Sequence, residues 1–126
     1  MIMIPAVADR FVNALARQAW TELSTCFHET VNFSALIPPG LRTATGRAGA
    51  TTYLKQWFGD ADQLVLVSSN IDTVEDRVHI SYRFRAHEDR WYVVEQHLFC
   101  TVSDGQIDRM DLVCSGFRPD STPRER

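Results

Sequence analysis

Between Trp91 and Ser115 the residues WYVVEQHLFCTVSDGQIDRMDLVCS set ionisable groups at alternate positions: Glu95 and His97, then Arg109 and Asp111. Strict alternation is the period of a β-strand, so the stretch reads as two strands joined at Ser103-Asp104-Gly105. Glu95, His97, Arg109 and Asp111 then share one face, and Leu98, Cys100, Met110, Leu112 and Cys114 share the other. An aspartate beside a histidine in a low-dielectric setting holds one imidazole tautomer and favours its protonated form. That is the chemistry of a general acid–base catalyst acting at a carbon acid or a carbonyl oxygen.

Which residues face each other depends on the connection. A three-residue loop, with Gly105 in the left-handed conformation of a bulge, pairs His97 with Asp111, Phe99 with Arg109 and Leu98 with Met110. A two-residue Asp104-Gly105 loop pairs His97 with Leu112 and mixes polar with apolar residues on both faces. A one-residue slip would exchange the faces of a whole strand, so the first register is expected.

Two earlier turns, Glu75-Asp76 and Glu88-Asp89, read as two-residue loops; Tyr82 then lies opposite both Ser69 and Glu95, and Ile80 opposite His97. On that reading Tyr82, Glu95, His97, Arg109 and Asp111 converge on a cavity walled by Phe84, Phe99, Trp20, Tyr53 and Trp57. Such a bowl suits a hydrophobic or aromatic metabolite, with Tyr82 or Arg109 placed to stabilise an enolate. Each group also has a purely structural role: His97–Asp111 as an internal hydrogen bond, Glu95–Arg109 as a salt bridge, and Trp20, Tyr53 and Trp57 as core aromatics at helical spacing.

The elements that must position these groups follow in order. Pro5 opens a helix whose Val7, Phe11, Ala14 and Leu15 form one stripe, and a shorter helical piece runs through Trp20, Leu23, Cys26 and Phe27. From Thr30 the period becomes two, ending at Pro38-Pro39-Gly40. Leu41 to Gly46 is loop or a short extended piece, and Arg47 to Phe58 is a third helix closed by Gly59. Three strands follow, over Gln63–Val74, Arg77–Ala86 and Trp91–Val102, before the last. Residues 1–118 make one domain, and PDSTPRER, 119–126, reads as a flexible tail.

Composition narrows the function classes. With 126 residues, 44% hydrophobic, the chain closes one core. Its 13 basic and 16 acidic residues leave a net charge of −3 and no surplus for nucleic acid. The cysteines, Cys26, Cys100 and Cys114, lack ligand spacing, so no metal is expected, and they read as buried thiols of a cytoplasmic protein. No run approaches a membrane span, and MIMIPAVADR lacks a basic leader region. Val94, Leu98, Cys100, Val102, Met110, Leu112 and Cys114 read as the outer face, an apolar patch too large for a monomer to leave wet, so a homodimer packed sheet against sheet is expected.

The order helix, helix, strand, helix, then antiparallel meander resembles the nuclear transport factor 2-like (cystatin-like) superfamily, and within it the SnoaL-like polyketide cyclases. The resemblance spans about residues 6 to 118 and is carried by FVNALARQAWTELSTCFHETVNF (Phe11–Phe33), GRAGATTYLKQWF (Gly46–Phe58) and the final hairpin with His97 and Asp111. It implies an α+β fold, a cone-shaped barrel in which a strongly bent antiparallel or mixed sheet wraps three N-terminal helices around an apolar pocket. It further implies an acid–base pair at His97 and Asp111, no cofactor, and an isomerase, cyclase or dehydratase. The first strand has Asn32 and Ser34 where isomerases and dehydratases of the family often carry a base. The same fold also serves as a non-catalytic ligand-binding or dimerisation module, so it does not decide function.

Overall fold

In α1 (Ala6–Ala16) the stripe read from the sequence is buried: Val7, Phe11, Ala14 and Leu15, with Ala8 and Val12 beside it. A short α2 (Trp20–Thr25) and the strand β1 (Phe27–Ile37) follow, then β2 (Gly40–Thr45), so that the segment read as loop or short extended piece is a strand paired with β1. Helix α3 (Arg47–Phe58) buries Ala50, Leu54 and Phe58. It ends at Gly59, a position that takes only glycine because a β-carbon there would stand 2.3 Å from the Lys55 carbonyl oxygen. The meander comprises β3 (Gln63–Val74), β4 (Arg77–Glu88), β5 (Arg90–Ser103) and β6 (Gln106–Cys114), and a two-residue β7 (Arg118–Pro119) pairs with β5. This computed structural model describes residues 4–121. Two residues expected in a loose tail are instead tied to the sheet: Pro119 pairs with Tyr92, and the Asp120 amide donates to the Trp91 carbonyl. Residues 122–126 lie outside the described residues.

The sheet runs β2-β1-β6-β5-β4-β3, parallel between β1 and β6 and antiparallel elsewhere, and it curls strongly without closing. The α+β cone expected from the sequence is what forms. Which face the helices cover is the reverse of the expectation. Val94, Leu98, Cys100, Met110 and Leu112, assigned above to an outer dimer patch, lie buried in the same core as α1 and α3. Energetics accounts for the choice. Burying one leucine or methionine is worth about 1.5–3 kcal/mol, whereas enclosing Glu95, His97, Arg109 and Asp111 would strip water from four ionisable groups, each at several kcal/mol. With the patch covered by the chain's own helices, the basis for a dimer through it is gone.

Two turns depart from the expected register. Glu88 pairs with Arg90 across Asp89 alone, which adopts φ 68°, so Tyr82 faces Gln96 and not Glu95, and Ser81 faces His97. Val74 pairs with Arg77 and Ser69 with Tyr82, as expected. At the last hairpin Asp104 (φ 54°) and Gly105 (φ 76°) are both left-handed, the backbone of a tight two-residue turn that places Ser103 opposite Gln106. Between Val102↔Ile107 and Thr101↔Arg109 the register shifts by one, with Asp108 as the extra residue. The bulge restores the separation of polar and apolar faces, but two residues away from the expected pairing. His97 faces Val113, and Phe99 faces Asp111.

Candidate functional site

The open face of the sheet carries a chain of hydrogen bonds built by those registers. Asp72 stands opposite His79, His79 opposite Phe99, and Arg83 opposite Glu95. Asp72 Oδ1 is 2.9 Å from His79 Nδ1, His79 Nε2 is 3.1 Å from His97 Nδ1, and His97 Nε2 is 2.9 Å from Glu95 Oε2. Arg83 closes the line, its Nε donating to Glu95 Oε1 at 2.9 Å. His79 also lies parallel to Phe99, with centroids 4.8 Å apart. An ionised carboxylate only accepts, so His79 Nδ1 and His97 Nε2 must both carry protons. The two remaining ring nitrogens need one proton between them. Hydrogen bonds from His97 and then Arg83 keep the Glu95 carboxyl below its ordinary range.

Asp111 belongs to a different cluster. It accepts from Ser34 Oγ at 2.6 Å, from Arg77 Nη1 at 3.0 Å and from Arg109 Nε at 3.1 Å, because β1 and β6 run parallel with Ser34 beside Asp111. Burial pushes its pKa up, but the three donors outweigh this and hold it below the usual aspartate range. The His97–Asp111 pair expected across two strands is thus replaced by His97 between His79 and Glu95, and Asp111 between two arginines. On this face a groove of about 680 Å³ includes Glu95, His97, Arg83, Arg85, Val67, Val113 and Arg118 in its lining.

The helix-covered face holds the other expected residues. Tyr82 is buried there, and its hydroxyl donates to Gln96 Oε1 at 2.6 Å; burial holds the phenol well above its ordinary pKa, with Cys114 and Cys100 adding to the effect. Gln96 is fully buried, and its Nε2 has no hydrogen-bond partner among the described residues. Its neighbour across the strands is Cys114, which lines an apolar recess of about 210 Å³ with Ile37, Pro38, Pro39, Trp57, Gly116 and Phe117. Tyr53 lies between Phe33 (5.9 Å) and Trp57 (5.7 Å), and Trp20 packs against the core. The single cavity expected from the sequence is therefore divided: Glu95, His97, Phe99, Arg109 and Asp111 on one side of the sheet, Tyr82, Trp20, Tyr53 and Trp57 on the other.

Sequence reasoning missed Asp72, His79, Arg83 and Gln96. His79 and Arg83 alternate with Ser81 as plainly as Glu95 does with His97; a one-residue error at Asp89 sent them to the wrong face. Among the described residues, no group of three or more His, Cys, Asp or Glu side chains is placed to hold a metal ion. Nor, among them, is any helix long and apolar enough to cross a membrane.

Comparisons with known proteins agree on the fold. A crystal structure of a candidate ketosteroid isomerase from Kribbella flavida superposes with TM-score 0.65 at 20% identity, covering 97% of this chain and 82% of that one. A candidate polyketide cyclase from Xanthomonas campestris gives TM-score 0.67 at 20% identity, covering 85% and 86%. An LEH-like epoxide hydrolase from M. tuberculosis gives 0.67 at 14% identity, covering 86% and 80%. At such identities the likeness establishes the fold alone. A comparison with curated proteins finds no match. The model of the SnoaL-like domain, however, matches residues 8–110. The matched span runs from α1 into β6, and with the curled sheet it places the chain in the SnoaL-like domain family of the nuclear transport factor 2-like superfamily.

Proposed function

We propose that the protein binds a small, largely hydrophobic molecule in the recess beside Trp57, as a binding module and not as an acid–base enzyme working inside the cone. One observation carries this reading. The sheet puts every carboxylate and imidazole of the expected site on the face away from the helices, leaving the recess with apolar walls and Cys114. The buried polar groups nearest in register are the Tyr82 hydroxyl, which stays protonated, and the Gln96 amide with a free donor. A ligand carbonyl passing Cys114 would satisfy that donor, whose loss of water costs about 1–3 kcal/mol while unpaired. The recess is small but adequate for a ring system, since dry apolar cavities of about 150 Å³ hold benzene.

The alternative is a cofactor-free isomerase, cyclase or lyase using His97 with Asp111. It requires both at one substrate, and they stand in separate hydrogen-bonded clusters. A thermal-shift series with neutral one- and two-ring ketones tests the proposal on wild type and Ile37→Trp, which fills the recess from its rim. Ketones should raise the midpoint of wild type and leave Ile37→Trp unmoved, with no turnover. Equal shifts in both proteins, or no shift in either, would overturn it.

A further inference from the structure

We propose that the groove on the open face is a second binding site, which takes a small carboxylate with an apolar body. The inference is independent of the recess.

The floor comes from three strands. Val67 is the residue left over where the β3–β4 register shifts between Leu66 and Ser68, so a bulge re-aims it; Val93 and Val113 come from β5 and β6. Val67 and Val113 are each 49% exposed, an apolar surface in a concave place that a ligand would cover. The rim is cationic. Arg83, Arg85 and Arg118 line the groove together with His97, against the carboxylates of Glu95 and Asp120. This is a locally positive region on a chain of net charge −3, the arrangement that draws an anion to one place.

The arginines are not equivalent. Arg83 is engaged by Glu95, and Arg85 by Asp120 while its guanidinium lies 4.2 Å from the Trp91 ring. Arg118 has no ion pair among the described residues. It is held in place by the β7 pairing of Arg118 with Val93, so its charge stands next to the floor. A planar guanidinium of that kind matches a carboxylate in two parallel hydrogen bonds. One arginine with no ion pair among the described residues, beside three valines, selects for a monocarboxylate carrying a short apolar chain or ring.

Calorimetric titration tests this with 4-phenylbutyrate, its neutral analogue 4-phenylbutanol, and inorganic phosphate. Phenylbutyrate should bind, and the alcohol and phosphate should bind at least tenfold more weakly. Arg118→Ala should lose about tenfold with Arg118→Lys between it and wild type, and Val113→Asp should lose as much with an unchanged circular dichroism spectrum. Ile37→Trp should leave phenylbutyrate binding intact, which separates failure of this site from failure of the recess. Equal affinity for the alcohol, equal affinity for phosphate, or an Arg118→Ala protein that binds like wild type would each overturn the proposal.

Discussion

His79 Nε2 and His97 Nδ1 meet at 3.1 Å, with ring planes 13° apart, between the carboxylates of Asp72 and Glu95. Satisfying all three contacts takes one shared proton. With none, two lone pairs face each other; with two, two N–H groups do, and the contact opens either way. Nitrogen-15 spectra of the ring nitrogens should show hydrogen-bonded N–H groups at both His79 Nδ1 and His97 Nε2, the two positions that face carboxylates. A bare lone-pair nitrogen at either position would contradict the chain.

The covered face is tested by stability. Leu98 is fully buried and its neighbour His97 is 42% exposed in its side chain. Leu98→Ala should cost about 2–5 kcal/mol in denaturant unfolding. His97→Ala should stay within about 1 kcal/mol. The opposite ranking would restore the face assignment expected from the sequence.

Acid should weaken the fold through Asp111 and Glu95. Both are held below their ordinary ranges, Asp111 by Ser34, Arg109 and Arg77 against the opposing effect of burial, and Glu95 by His97 and Arg83. A carboxyl depressed in the folded state adds stability above its unfolded pKa, about 4 for these groups. That stability disappears as pH falls through the folded value. The unfolding midpoint should thus be flat above about pH 5 and fall steeply below about pH 4. Asp111→Asn together with Glu95→Gln should flatten the fall.

Thiol reactivity should separate the cysteines. Cys26 and Cys100 are buried, and burial first, then Asp111, pushes the Cys100 thiol up to about 12. Cys114 is only partly buried, at the recess. Since the thiolate is the nucleophile, native protein at neutral pH should alkylate first at Cys114, and all three should react after unfolding. Mass spectrometry of the modified peptides checks the order. A neutral ketone seated in the recess should slow the first reaction.

Much of the architecture was legible because it rests on local chemistry. The helix Arg47–Phe58 and the strand Gln63–Val74 came out at their observed limits, since Gly59 and the change of period mark them unambiguously. The alternation that keeps His97 and Asp111 on one side, and Leu98 and Met110 on the other, also survived. What alternation cannot express is which side is inside. Parity along a strand is a property of consecutive residues, whereas the covering of a face depends on where helices distant in sequence come to lie.

The partners of the site residues were illegible for a related reason. Asp89 and Asp108 each displace a register by one residue, and neither position carries a sequence signal as plain as Asp104-Gly105. Locally, a one-residue turn or a bulge costs little. Across the sheet, the first moved Tyr82 from Glu95 to Gln96, and the second, added to a final turn one residue shorter than expected, moved His97 from Asp111 to Val113. The sequence by itself determined the elements and the segregation of charge from apolar surface, because both are set by neighbouring residues. The tertiary structure alone decided that the charged face stays open and that His97 is partnered by His79 and Glu95. Those outcomes follow from the balance between burying a leucine-rich face and desolvating an ionisable one, summed over the whole sheet.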